Sequence, residues 1–355
     1  MTPYKVGILG ATGMVGQRMV ERLHHHPWFE LTSLCASERS AGKRYGDAVR
    51  WTLSSDPPDE VCDRIVRECR PEDLDDCDLL LSGLDASVAW EVETECARVG
   101  LAVVSNSSAH RPSADVPLLV PEVNADHLVL LELQKRRTGG GFIVTNPNCS
   151  VTGLVLSLAP LHRRFGVRRV VVSTLQAVSG AGLEGPRALD LVDNVLPFIA
   201  GEEEKIQSEM AKILGRAGRG GVESASIAVS AHCHRVGTLD GHLEAVSVEL
   251  ERAASPAEAE DALRTFTGDV GGLGLPSAPA RPIVVRTEPD RPQPRLDRDA
   301  GGGMSVVVGR LRPCPVLTLR MAVLSHNTVR GAAGGTVLNA ELLVARQLVP
   351  RRASR

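Results

Sequence analysis

A chain of 355 residues with 43% apolar and 23% charged residues is globular in composition and too long for one ordinary hydrophobic core, so two domains are expected. Forty Lys and Arg stand against 43 Asp and Glu, a formal net charge of −3, and aromatic residues make up 3%. That balance excludes a basic nucleic-acid surface, a polybasic membrane patch and a base-stacking platform.

The eight cysteines form no C-x-x-C pair and no zinc-like spacing with histidine, so no metal is expected. Scattered thiols suit a reducing compartment. No run of about 18 apolar residues is present and no signal-peptide pattern opens the chain, which predicts a cytoplasmic protein with no membrane partner.

Tyr4 to Leu9 is a short apolar strand, followed by Gly10-Ala11-Thr12-Gly13-Met14-Val15-Gly16 and a helix marked by Met14, Val15, Met19, Val20 and Leu23. Strand, glycine turn and helix in that order put backbone N–H groups where a pyrophosphate can sit. Three histidines, His24 to His26, read as the solvated end of that helix. The next strand, Phe29 to Cys35, ends in small residues and runs into Ser37, Arg39, Ser40 and Lys43. A hydroxyl and cation cluster there suits a 2′-phosphate and points to NADP(H); Glu38 leaves NAD open. Strands at Asp78–Gly83 and Leu101–Ser105 flank a helix at Val88–Val99, and the second strand leads to Ser108 and Arg111. This alternation predicts an α/β, Rossmann-type dinucleotide-binding domain over residues 1–148, completed by a C-terminal helix at about 327–355.

Gly141 to Thr145 is a strand, stopped by Pro147, and Val151 to Leu158 reads as a buried helix. Cys149 therefore stands at a strand-to-helix junction, where the helix dipole favours a thiolate, and is a candidate nucleophile. Beyond it strands follow one another: Arg169–Ala177, Ala225–Ser230, Leu243–Leu250, Pro282–Arg286, Met304–Arg310 and Val316–Leu324, with a helix near Ala257–Phe266. They predict an α+β catalytic and dimerisation domain over 149–326 with a mostly antiparallel sheet. Arg235 and His242 are placed near one turn, and His242 is a candidate base. Arg291 to Gly303 reads as a mobile or intersubunit loop, and an amphipathic helix is expected to follow His326–Gly335 through Leu348.

Taken together, Gly10–Gln17, Asn146–Cys149, Gln176–Gly182, Gly201–Lys205, Asp240–His242, Arg291–Asp297 and His326–Gly334 resemble the aspartate-β-semialdehyde dehydrogenase family, in its archaeal and fungal branch. The resemblance implies roles position by position. Cys149 is the thiol that forms an acyl-enzyme, His242 the acid/base, and Gln176 the amide that orients the substrate. Arg235 grips the substrate α-carboxylate; Arg111, Asn148 and Lys205 bind phosphate, with Ser108 and Glu202 beside them. Gly10, Thr12, Gly13, Met14 and Val15 form the pyrophosphate turn, and Ser37, Arg39 and Ser40 the 2′-phosphate pocket. Ser179, Gly180, Gly182 and Asn327 lie near the nicotinamide. The implied activity is NADP-dependent reductive dephosphorylation of L-aspartyl-4-phosphate to L-aspartate-4-semialdehyde by a homodimer or homotetramer. The nearest alternative keeps the fold and changes the acyl donor, as in acyl-CoA reductases of the malonyl-CoA reductase type.

Overall fold

The computed structural model describes residues 2–218 and 220–352. Its first sheet contains β1 (Tyr4–Leu9), β2 (Phe29–Ala36), β3 (Arg67–Glu68), β4 (Leu79–Ser82), β5 (Ala102–Ser105) and β6 (Phe142–Thr145). The spatial order is β3-β2-β1-β4-β5-β6 and every pairing is parallel. Strands β4, β5 and β6 are buried at every residue, as a parallel strand covered on both faces must be. Each ends in a hydroxyl residue, and Ser82, Ser105 and Thr145 lie in register along the carboxyl edge. This is a Rossmann sheet; its strand order reverses between β1 and β4, which opens the ligand crevice beyond those strand ends.

The chain continues through β7 (Val167–Gln176), a small hairpin of β8 (Arg216–Gly218) and β9 (Gly221–Glu223), then β10 (Ala228–Arg235), β11 (His242–Leu250), β12 (Ile283–Val285), β13 (Val306–Pro313) and β14 (Leu319–Ser325). The second sheet has the order β10-β7-β11-β14-β13-β12. Its three inner pairings are antiparallel and its two outer ones, β10 with β7 and β12 with β13, are parallel. The sheet is therefore mixed, antiparallel through its middle and parallel at both edges, so the mostly antiparallel expectation holds only in part. Parallel neighbours require a long crossover, and the Glu202–Ile213 helix lies within the one from β7 to β10. The helix Cys149–Phe165 covers one face of this sheet, its apolar residues sharing a core with Val170, Val172, Val246 and Val323.

Three further expectations are corrected. The last helix, Gly334–Ala345, is buried on nearly every side and not amphipathic. It lies in the first core, where Val270 and Leu275, from the excursion between the Pro256–Arg264 helix and β12, pack into the same cluster. Glu341 on this helix accepts Ser277 N–H at 3.0 Å and meets His26 Nε2 at 2.8 Å. His26, the last of the three histidines, is consequently packed against that helix, not solvated. The segment from Arg291 to Gly303 is also tied down. Buried Asp297 accepts from Arg286 Nε at 3.1 Å, Arg291 Nε at 2.6 Å and Gln293 N–H at 2.7 Å, and Arg298 reaches Asp240 O at 3.1 Å.

Candidate functional site

The Cys149–Phe165 helix begins where β6 delivers the chain to the carboxyl edge of the first sheet. Asn148 caps it, its Oδ1 accepting Ser150 N–H at 2.9 Å and Val151 N–H at 3.4 Å. The first helical side chain is thus Cys149, half-buried, with Gly331 behind it. A Cβ on Gly331 would stand 2.8 Å from Cys149 Cβ, so only glycine allows that close approach. The Gly331 backbone is held in turn by its neighbour Arg330, paired through buried bonds of 2.7 and 2.5 Å with Glu122.

The second sheet supplies the facing wall. Arg235 pairs with Gln176 across β10 and β7, and His242 pairs with Ser325 across β11 and β14. The β11–β7 register sets Leu243 opposite Leu175, which puts His242 beside Gln176. Arg235, Gln176, His242 and Ser325 consequently form one buried row across four strand ends. Arg235 closes β10 and His242 opens β11, on either side of the connection 236–241, and sheet register, with β7 between the two strands, sets them in one row. The β10 strand also runs past Ser230 to Arg235, which is why that arginine stands at the strand end.

His242 Nε2 lies 3.2 Å from Cys149 Sγ. Its other nitrogen, Nδ1, accepts the Ala177 backbone N–H at 3.0 Å. An N–H can only donate, so Nδ1 carries a lone pair and the neutral ring holds its proton on Nε2, facing the sulfur. Burial, then Arg235 and His326, push the His242 imidazolium down to about 3. Burial also pushes the Cys149 thiol up to about 12, with Glu202 adding to the effect and Arg111 and Arg235 opposing it. Desolvation thus opposes the helix terminus, and runs against the low-pKa thiol expected from position alone.

A polar cluster adjoins Cys149. Asn148 Nδ2 donates to both oxygens of Glu202 at 3.0 and 2.8 Å; Lys205 Nζ donates to Glu202 at 3.0 Å, and Gln176 Nε2 donates to Glu202 at 3.3 Å. Arg111 donates to Glu209 at 3.0 Å and to Asn106 O at 2.9 Å. Ser108 meets this cluster through its backbone, its carbonyl accepting Arg111 N–H at 3.3 Å. Glu209 and Lys212 were missed in the sequence reading. Their signal was present: Glu202, Lys205, Glu209 and Lys212 recur at helical spacing on one face. Lys212 Nζ donates to the carbonyls of Arg111, Ser113 and Val116 at 2.7, 2.7 and 2.9 Å, fixing the Arg111 loop.

The crevice side carries the glycine turn. Gly10 has φ +77°, and its N–H, like that of Ala11, donates to Cys35 O at 2.8 Å, tying the turn to the end of β2. A Cβ on Gly16 would lie 2.2 Å from Gly10 O, so helix and turn pack at a distance only glycine permits. The Met14–Leu23 helix starts at Gly13 with no side-chain cap, which leaves N-terminal N–H groups open to an anion. Ser37 and Arg39 are exposed and Ser40 half-buried in the turn after β2. These features fit a dinucleotide phosphate cradle. Nearer Cys149, the turn Val178–Ala181 leads to Gly182, Asn327 Nδ2 reaches Ser179 Oγ at 2.8 Å, and Asn327 Oδ1 accepts Gly241 N–H at 2.8 Å. A Cβ on Gly180 would meet Arg235 Nη1 at 2.9 Å and His242 Cε1 at 3.1 Å. Thr12 lies in the glycine turn, and Met14 and Val15 in the first turn of the helix that follows it.

A Rossmann sheet whose edge delivers a thiol at a helix start, facing an imidazole on a second sheet, defines a two-domain dehydrogenase class. Comparison with known proteins narrows it. The model of the semialdehyde dehydrogenase NAD-binding domain matches residues 5–131, and that of the semialdehyde dehydrogenase dimerisation domain matches residues 158–330. Aspartate-semialdehyde dehydrogenase of Archaeoglobus fulgidus is 51% identical over 98% of this chain and 99% of its own. The Methanothermobacter thermautotrophicus enzyme of that name is 52% identical over 95% and 98%. The crystal structure of aspartate semialdehyde dehydrogenase with NADP from Candida albicans superposes with a TM-score of 0.91 at 43% identity, covering 98% of this chain and 100% of that one. The chain belongs to the aspartate-semialdehyde dehydrogenase family. Among the described residues no helix is long and apolar enough to cross a membrane, and no group of three or more His, Cys, Asp or Glu is arranged to hold a metal.

Proposed function

We propose that the protein is an NADP-dependent aspartate-semialdehyde dehydrogenase that converts L-aspartyl-4-phosphate to L-aspartate-4-semialdehyde and phosphate. The observation that carries this reading is the 3.2 Å approach of His242 to Cys149, in a cleft that also holds Arg235 and the Arg111–Lys205 cations. Arg235 suits a substrate carboxylate, and its own bond to Ala177 O at 2.8 Å fixes its aim. Arg111, Lys205 and Asn148 form the phosphate end, with Glu202, Ser108 and Gln176 orienting donors and substrate. Residues 1–148 with about 327–355 make the cofactor-binding unit. In it Gly10 to Val15 hold the pyrophosphate, and Ser37, Arg39 and Ser40 the 2′-phosphate; Ser179, Gly180, Gly182 and Asn327 border the nicotinamide.

The Cys149 sulfur attacks the acyl phosphate and expels phosphate, leaving a thioester, which accepts hydride where a carboxylate does not. NADPH supplies that hydride when bound. Collapse of the resulting thiohemiacetal returns the sulfur as a thiolate. Cys149 must first lose its thiol proton to solvent; from then on each cycle begins and ends on the same sulfur anion, which His242 stabilises with a hydrogen bond from Nε2. Of the early helix amides, Ser150 and Val151 serve the cap, and Glu209 takes Asn148 N–H at 2.6 Å. The amide of Cys149 itself is the helix donor left for the oxyanion, a contribution of about 3 kcal/mol.

The purified protein is expected to reduce NADP⁺ with L-aspartate semialdehyde only when phosphate is supplied. Cys149→Ala abolishes turnover while NADPH binding persists. CoA replacing phosphate as co-substrate would move the protein to the acyl-CoA reductases. Exposed Val171, Leu175, Leu189, Val192, Phe198 and Leu239 provide an apolar surface, on which a second copy makes a homodimer or, paired again, a tetramer. The eight free cysteines fit the cytoplasm.

A further inference from the structure

Glu209 is a carboxylate that touches both ends of the reaction. Its Oε2 accepts Asn148 N–H at 2.6 Å, the amide directly before the nucleophile, and its Oε1 accepts Arg111 Nη1 at 3.0 Å. Glu209 is 6% exposed and Arg111 8%. Both partners are donors, so only an acceptor on each oxygen satisfies them; an ionised carboxylate is such a group and an amide is not. Arg111 gives Nη2 to Asn106 O, yet its buried Nε has no partner among the described residues. That donor is available to an anion.

We propose that Glu209 is a positioning residue with two linked tasks. It fixes the Asn148–Cys149 chain entry so that the sulfur and the Cys149 amide keep their aim, and it acts as the resident anion of the phosphate site. In the empty site its charge compensates Arg111, and an arriving phosphate competes with it for the guanidinium. Glu209 thus holds the site open and discourages retention of the phosphate that leaves. This rests on the reading of Arg111 as a phosphate ligand.

The test is steady-state kinetics of Glu209→Gln in the oxidative direction, with phosphate varied. The amide can satisfy one of the two donors and turns an N–H toward the other, while the competing charge is gone. The kcat is expected to fall about 10- to 100-fold, and the phosphate KM to fall about 3- to 10-fold, because Arg111 is left uncompensated. A merely structural role would not tighten phosphate. A kcat within about threefold of the parent, or a phosphate KM unchanged or raised, overturns the proposal. If Glu209→Gln does not fold, as judged by its melting transition, Glu209→Asp replaces it. That variant keeps the charge but is too short to span both donors. It should lose kcat with phosphate KM unchanged, and any other pattern overturns the proposal. The underlying reading fails separately: Arg111→Gln with an unaltered phosphate KM removes Arg111 from the phosphate site, whatever Glu209 does.

Discussion

Two rows on one face of the second sheet differ sharply in how they treat polar groups. At the strand ends, Arg235, Gln176 and His242 are all buried, and each has a partner: Ala177 O for Arg235, Glu202 for Gln176, Ala177 N–H and Cys149 Sγ for His242; the Ser325 hydroxyl that closes the row has none among the described residues. Two pairs deeper, on the same face, the register aligns Cys233, Thr174, Glu244 and Val323, also buried. There both oxygens of Glu244 lack a partner among the described residues. The outer row arranges its donors and acceptors around a place for substrate. The inner row holds a carboxyl that burial pushes well above the usual carboxylate range. Polar residues at alternate positions of one strand, His242 and Glu244, therefore belong to different regimes: one acts by directed bonds, the other is tolerated by staying neutral.

The largest effect separating the rows is expected at His242. In His242→Asn the side-chain oxygen can still accept Ala177 N–H, but nothing reaches the sulfur. Loss of one such donor should lower kcat about 100- to 1,000-fold with little change in melting temperature. His242→Gln can extend an N–H toward Cys149 and should recover at least about tenfold of that loss, as a lost donor and not a lost proton shuttle requires. Equal kcat values for the two variants would show that the ring acts by another route.

Arg235 and Cys233, two residues apart on β10, give the next contrast. Arg235→Lys keeps the charge and loses the planar pair of donors, so kcat/KM for aspartate semialdehyde should fall about 10- to 100-fold, chiefly through KM. Cys233→Ala, in the inner row, should leave kcat/KM within about threefold and cost about 1 kcal/mol of stability, measured by denaturant melts. A large kinetic effect from Cys233→Ala would mean that the inner row takes part in the chemistry.

How much of this the sequence revealed follows from the range of each signal. Strands β4 to β6 were readable as apolar runs, because burial on both faces writes itself into consecutive residues, and β1 and β2 as shorter apolar stretches beside Lys5 and around Glu30, Thr32 and Ser33. The position of Cys149 at a helix start was readable from Pro147 and the run after it. Orientation within the second sheet was not, since a strand's neighbours and their direction depend on crossovers that local patterning does not encode. The same holds for His26, whose partner Glu341 lies 315 residues away. Glu209 was within reach, at i+4 from Lys205, but three consecutive glutamates drew attention to the helix start instead. The thiol's upward shift could not be read at all: the helix dipole is local and visible, whereas desolvation depends on everything packed around the sulfur.

The smallest expected effect lies in the inner row and concerns stability alone. A Glu244 carboxyl raised in the folded protein stays protonated there, while the unfolded chain ionises it in the ordinary carboxylate range. Below that range both states hold the proton and the group contributes no pH dependence. Above it the unfolded state binds fewer protons, so stability must fall as pH rises, until the folded-state value is reached. Glu244→Gln has nearly the same shape and cannot ionise, so it lacks that slope. Melting temperatures of parent and variant should nearly coincide at pH 4 and diverge in the variant's favour by pH 8, by about 1–3 kcal/mol. Taking the difference between the two proteins cancels other titrating groups, Glu93 among them, whose buried carboxyl is pushed up to about 7. A variant less stable at pH 8 than at pH 4, relative to its parent, would mean that Glu244 is ionised and bonded in the folded state. The inner row would then be organised on the same terms as the outer one.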